Sequence, residues 1–153
     1  MSTGYTTPTN EAPLSQPLYG ATFGQAVTRF FKKYATFTGR ASRSEFWWWF
    51  LVNALVGTVL YVLTLVLGAG GATFDATTGA STPGPGIVVG IVLSSIWFLA
   101  TVVPWLALVW RRFHDTNRPG AFYFLGFIPF VGGIIVLVML ALPSDPAGAR
   151  FDV

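Results

Sequence analysis

The sequence predicts an all-α membrane protein: three transmembrane helices preceded by a cytoplasmic amphipathic interfacial helix. Three observations carry this reading. Of the 153 residues, 53% are apolar and 10% are charged, against roughly 25% charged in soluble domains. Three stretches, 46–67, 87–110 and 121–142, contain no Lys, Arg, Asp or Glu, and at about 1.5 Å per residue each exceeds a hydrocarbon core of roughly 30 Å. Eight of the nine Lys and Arg residues fall in two short segments bordering these stretches, 18–45 and 111–120, the pattern of a membrane protein marking its cytoplasmic side.

Residues 1–17 are rich in Thr and Pro and poor in large apolar groups, so they are expected to form a disordered tail. They hold no Lys or Arg and no apolar core, both of which a cleavable signal needs; the first apolar run is therefore expected to act as an uncleaved anchor. Residues 18–153 are expected to form a single membrane domain. Within 18–37, Phe23, Val27, Phe30, Tyr34 and Phe37 recur at helical spacing, with Arg29, Lys32 and Lys33 mostly off that stripe. Aromatics on one face and cations on the other suit the membrane interface; packing on protein with a solvated basic face is the alternative. Gly39 is expected to break the chain after this helix.

Ser42 and Glu45 have the spacing of a capping box ahead of an apolar run, which starts the first span at Ser42 or Arg43. Trp47, Trp48 and Trp49 open that span, where indoles favour the headgroup level, and Asn53 is its one strongly polar side chain, suited to a hydrogen bond across helices. Residues 68–86 are Gly, Thr, Ala and Pro with a single charge, Asp75, and read as a flexible outer loop without regular elements. In the second span Pro104 frees a carbonyl one turn back and is expected to kink the helix. Gly86, Gly90 and Ser94 form a small-residue ladder that lets another helix approach. Residues 111–120 read as a polar connector, with Pro119-Gly120 suited to a type II turn. Pro129, Gly132 and Gly133 interrupt the third stretch; a straight span is the expectation and a broken or re-entrant segment the alternative. Residues 143–153 form a C-terminal tail.

Segment 18–45 holds five basic residues and one acid, segment 111–120 three and one, and loop 68–86 none and one. Keeping basic loops inside puts the N-terminus and both basic segments in the cytoplasm. With three straight spans, the Gly-rich loop and the C-terminal tail then face outward; a re-entrant third segment brings the tail back inside.

The chain has no cysteine and one histidine, which excludes disulfides, thiolate nucleophiles, thiolate zinc sites and a multi-histidine metal site; no metal or cofactor is implied. No basic groove remains once the membrane-flanking cations are set aside, which argues against nucleic acid. The two basic segments share one face, and they are expected to meet, Glu45 pairing with Arg111 or Arg112 and Asp115 with Arg40 or Arg43. Arg111 and Asp115 also pair at i,i+4 if the helix continues. Arg40, Arg43, Arg111, Arg112 and Arg118 are membrane anchors or a site for anionic headgroups, since the planar guanidinium fork suits phosphate. His114 beside Asp115 invites an acid–base reading, but adjacent helical residues point apart and no nucleophile accompanies them.

Two motifs, Y-x-x-F-x-G-R-A-S-R-S-E-F-W-W from Tyr34 to Trp48 and R-R-F-H-D-T-N-R-P-G from Arg111 to Gly120, the second followed by Pro129 and Gly132, resemble the bacterial inner-membrane family called domain of unknown function 805. The resemblance covers about residues 20–151. It implies a small multi-span plasma-membrane protein with no settled activity. Members often end in an Asn-Arg-Phe-Gly type tail, from which Ala149-Arg150-Phe151-Asp152 departs. The reading favoured is a non-catalytic binding or scaffold protein that meets anionic lipid or a protein partner, with a homo-oligomer open. An enzyme acting on a lipid or lipid phosphate, and an oligomeric pore or transport component, are the alternatives.

Overall fold

The computed structural model describes residues 12–152. Helix α1 (Phe23–Lys32) is capped by Thr22, whose hydroxyl accepts from the Gln25 amide while the Gln25 side chain accepts from the Thr22 amide. It is shorter than the 18–37 expected. Ala26 and Phe30 are buried, and Phe30 stacks on Trp49 with ring centroids 3.5 Å apart. The basic face does not form as expected: Lys32 is exposed, but Arg29 and Lys33 are buried. The reason lies in the preceding segment. Arg29 donates to the carbonyls of Ala12, Pro13 and Gln16, so residues 12–17, expected in a disordered tail, wrap this guanidinium. The remainder of that tail, 1–11, lies outside the described residues.

Helix α2 (Arg43–Ala69) begins with the capping box read from the sequence: the Ser42 hydroxyl accepts from the Glu45 amide at 3.2 Å and the Glu45 carboxylate accepts from the Ser42 amide at 2.8 Å. Its 27 residues reach about 40 Å. Helix α3 (Ile87–Asp115) has 29 residues and continues through Pro104. The carbonyl that Pro104 leaves without a helical donor, on Ala100, accepts the Tyr34 hydroxyl at 3.0 Å. The two helices run antiparallel and closely packed. A Cβ on Gly90 would collide with Thr64, and one on Gly86 would lie 2.6 Å from the Leu67 carbonyl oxygen. Lower down, the Trp97 indole donates to Asn53 at 3.1 Å. Both Gly positions of the small-residue ladder thus serve packing within the chain.

Residues 68–86, read as a flexible loop, instead contain a hairpin, β1 (Thr73–Asp75) and β2 (Ala80–Thr82), with Thr73 opposite Thr82 and Asp75 opposite Ala80. Asp75 closes the turn by accepting from the Thr77 and Thr78 amides, and Gly79 takes the positive φ of 69° that follows. The expected polar connector is helical as far as Asp115. Asn117 (φ 58°) then ends α3 in a Schellman arrangement, its amide bonded to the His114 carbonyl and the Arg118 amide to that of Phe113. The type II turn at Pro119-Gly120 is not formed: Gly120 does not take the positive φ that its second central position needs and instead begins a 3-10 helix (Gly120–Phe127), where a Cβ would strike the Trp110 indole.

The third apolar stretch is not a straight span. The 3-10 helix leaves the end of α3, the chain reverses at residues 128–131 with Phe130 at φ 67°, and α4 (Gly132–Ala141) returns. Ten residues of α4 span about 15 Å, half of the roughly 30 Å core. The return brings a last 3-10 helix (Pro146–Phe151) back against residues 39–40 and 114–117. The C-terminal tail therefore lies at the end of the molecule that carries both basic segments, hereafter the basic end, and not opposite it as three straight spans would require.

The buried apolar core, including Phe30, Phe46, Trp49, Leu108, Val109 and Phe113, sits at the basic end. Away from it the helix pair is bare: Leu55, Val59, Tyr61 and Leu99 are 59–66% exposed. A continuous apolar surface of this kind is stable against hydrocarbon and not against water.

Candidate functional site: a buried charge cluster at the basic end

Two carboxylates organise the basic end. Glu45, in the first turn of α2, is buried and accepts from Arg29 Nε at 2.6 Å, from the Ser42 amide, and from the Leu18 amide at 3.1 Å. Its partner is Arg29, not Arg111 or Arg112. Sequence spacing could not single out Arg29, which sits on a helix expected to lie at the membrane interface. Asp115 is fully buried and accepts from Arg112, from the Tyr19 hydroxyl at 2.9 Å and from Ser144. Arg40 lies 3.8 Å from it, the pairing expected, while Arg43 is exposed on the outer turn. Partial burial and the neighbouring Asp115 carboxylate push the Tyr19 phenol up, keeping it a donor.

The arginines read as one patch are divided in role. Arg112 reaches the carbonyls of Leu140 and Leu142, satisfying the C-terminal end of α4. Arg40 makes a two-pronged bond with Asp152, Nε and Nη2 at 2.8 and 2.6 Å from its oxygens, which fastens the C-terminal tail. Arg118 is half-buried and bonds the Thr116 carbonyl. Arg111 is buried, its Nε donating to the Ala107 carbonyl one turn back, and the i,i+4 bond to Asp115 is not made.

His114 and Asp115 point apart, as adjacent helical residues do. The His114 Nδ1 lies 3.0 Å from the Gly39 carbonyl, and its ring stacks on Phe151 with centroids 4.0 Å apart. A carbonyl only accepts, so Nδ1 carries the proton. The imidazole clamps Gly39 to the tail and has no carboxylate to orient it as a base. Gly148 seats against the His114 carbonyl, where any Cβ would collide.

One imbalance remains. Arg29, Lys33 and Arg111 are each at most 5% exposed, and Glu45, at 3%, stands among them. Among the described residues, Lys33 Nζ and Arg111 Nη2 are buried without a hydrogen-bond partner. Burial holds the Lys33 amine down to about 7; Glu45 draws it up, while Arg111 and Arg29 push it further down. Buried charges are ordinarily paired, and here Arg29, Lys33 and Arg111 gather around Glu45, with Asp152 a second carboxylate acting on Lys33. Lys33 was missed as a site residue because it belongs to the stripe-and-cation pattern of α1; only its burial distinguishes it.

A family profile described as "Protein of unknown function (DUF805)" matches residues 34–153. Inner membrane protein YhaI of Escherichia coli (strain K12) is 37% identical over 120 residues, 78% of this chain and 86% of that protein. Inner membrane protein YhaH of the same organism is 34% identical over 120 residues, 78% of this chain and 87% of that one. No solved structure matches. The two long apolar helices, the exposed hydrocarbon-like surface and these relatives agree: the chain belongs to the DUF805 family and is an inner membrane protein with transmembrane helices, of a family whose function is unknown.

Proposed function

We propose that the chain is a non-catalytic binding protein whose basic end faces the cytoplasm and holds the headgroup of an anionic lipid between α1 and α3. The observation that carries this reading is the pair of buried donors, Lys33 Nζ and Arg111 Nη2, which have no hydrogen-bond partner among the described residues, beside the carboxylate of Glu45. A phosphate supplies the missing countercharge and the acceptors that both donors lack. Exposed Arg43 and half-buried Arg118 lie on the same end of the helix pair as further cations. Orientation follows from the basic segments, which stay inside. The hairpin of the 3-10 helix and α4 is then a re-entrant element, and two crossings return the tail to the cytoplasm.

The test is titration of the purified, delipidated protein with short-chain phosphatidylglycerol and phosphatidylcholine, followed by microscale thermophoresis. Phosphatidylglycerol is expected to bind at least tenfold tighter, and Lys33→Met/Arg111→Met to remove that preference. Equal affinity for both lipids, or an unchanged preference in the double variant, refutes the headgroup site and turns attention to a protein partner.

A further inference from the structure

An apolar cavity of about 650 Å³ lies between α2, α3 and the first 3-10 helix, within the roughly 300–1,000 Å³ of small-molecule sites. At the basic end its wall is Phe37 and Trp110, in edge-to-face contact at 5.9 Å. Its wall continues along α3 to Trp97, 13 residues away, about 20 Å at 1.5 Å per residue. That is about two-thirds of a roughly 30 Å core. Two of the polar side chains on its wall are engaged within the chain: Asn53 accepts from the Trp97 indole, and the Thr101 hydroxyl donates to the Trp97 carbonyl at 2.8 Å. The lining is mostly aromatic and aliphatic, which suits a hydrocarbon chain.

The cations fix which chain. Lys33 stands four residues before Phe37 and Arg111 next to Trp110 in the sequence, both near the basic end of the cavity, although neither side chain is part of its wall. The Tyr34 hydroxyl bonds the Ala100 carbonyl, next to Thr101 of the cavity wall, so the segment carrying Lys33 runs along the cavity. We infer that the cavity holds an acyl chain of the same anionic lipid whose headgroup Lys33 and Arg111 bind, the chain lying along α3 from Trp110 toward Trp97. This rests on the headgroup reading above and adds that head and chain are recognised together.

The experiment compares glycerol 3-phosphate, dioctanoyl phosphatidylglycerol and dioctanoyl phosphatidylcholine on the delipidated full chain. Val102→Phe and Leu106→Trp each fill the cavity from a different wall residue, so that one variant reports if the other fails to fold; Lys33→Met/Arg111→Met removes the donors. Phosphatidylglycerol is expected to bind at least tenfold tighter than glycerol 3-phosphate. The filled variants should lose that advantage while keeping their affinity for glycerol 3-phosphate. Unchanged phosphatidylglycerol binding in the filled variants overturns the chain site and leaves the headgroup site standing. Unchanged binding of both phosphate probes in Lys33→Met/Arg111→Met overturns the headgroup site and with it this inference. Phosphatidylcholine binding as tightly as phosphatidylglycerol, and weakened by filling, overturns the joint recognition of head and chain.

Discussion

Replacing Glu45 by Gln should be among the most damaging isosteric changes in this protein. The carboxylate is 3% exposed and neutralises Arg29 at 2.6 Å, which is itself 5% exposed. Gln keeps the shape and can still accept from the Ser42 amide, so the cap survives. What goes is the charge, leaving Arg29 buried without its partner beside Lys33 and Arg111. Breaking a buried ion pair from one side costs about 3–5 kcal/mol. The assay is equilibrium unfolding in mixed micelles, read from the indoles, with Glu45→Gln combined in turn with Arg29→Met and Arg112→Met. Coupling to Arg29 should be about 2 kcal/mol, because removing both partners removes the stranded charge. Arg112 belongs to the Asp115 network and should be additive within about 0.5 kcal/mol. A loss below about 1 kcal/mol for Glu45→Gln, or stronger coupling to Arg112 than to Arg29, would refute the division of the basic end into two networks.

Three further outcomes follow from the same geometry. The folded Lys33 amine is held down to about 7 against 10.5 for a free lysine, so between those values the unfolded chain binds the proton that the folded one does not. Stability of the delipidated protein should therefore rise with pH from about 7 toward 10.5; the advantage of Lys33→Met should be greatest below pH 7 and vanish across that window, and a pH-independent difference contradicts it. Gly90→Leu should destabilise by about 1–3 kcal/mol or more through the collision with Thr64, whereas Gly57→Leu, which meets nothing within 4 Å, should be close to neutral; equal effects in unfolding would place the close helix contact elsewhere. The chain lacks cysteine, so single introduced cysteines report sidedness cleanly. Ala149→Cys and Thr38→Cys should react with a charged maleimide from one side of the membrane and Ala76→Cys from the other; Ala149 reacting with Ala76 would restore a straight third span.

Much of the frame was legible in the residues. The capping box at Ser42 and Glu45 is a local signal, complete within four positions, and it forms as read. Asn53 and the Gly86–Gly90 ladder were legible because a polar group or a missing Cβ on an apolar helix has few uses other than contact with a neighbour. The rest depended on partners far apart in sequence. Asp152 meets Arg40 across 112 positions, and no pattern in an eleven-residue tail announces that. The burial of Arg29 required Glu45 and the carbonyls of residues 12–16 together, so an amphipathic stripe alone misplaced its basic face. Absence of charge in 121–142 measured length correctly but not direction: the reversal comes from Pro129 and from Phe130 at positive φ, where hydropathy is blind. The hairpin in 68–86 hid behind a composition of Gly and Thr, although Asp75 and Gly79 carry the marks of its turn.

The most direct test of the lipid reading is native mass spectrometry of the protein released gently from its own membranes, wild type beside Lys33→Met/Arg111→Met. The account predicts that the wild type retains an anionic phospholipid and that the double variant, folded to the same degree, loses it. Retention of the same lipid by both, or of none by the wild type, would contradict it and leave Lys33 and Arg111 as structural cations.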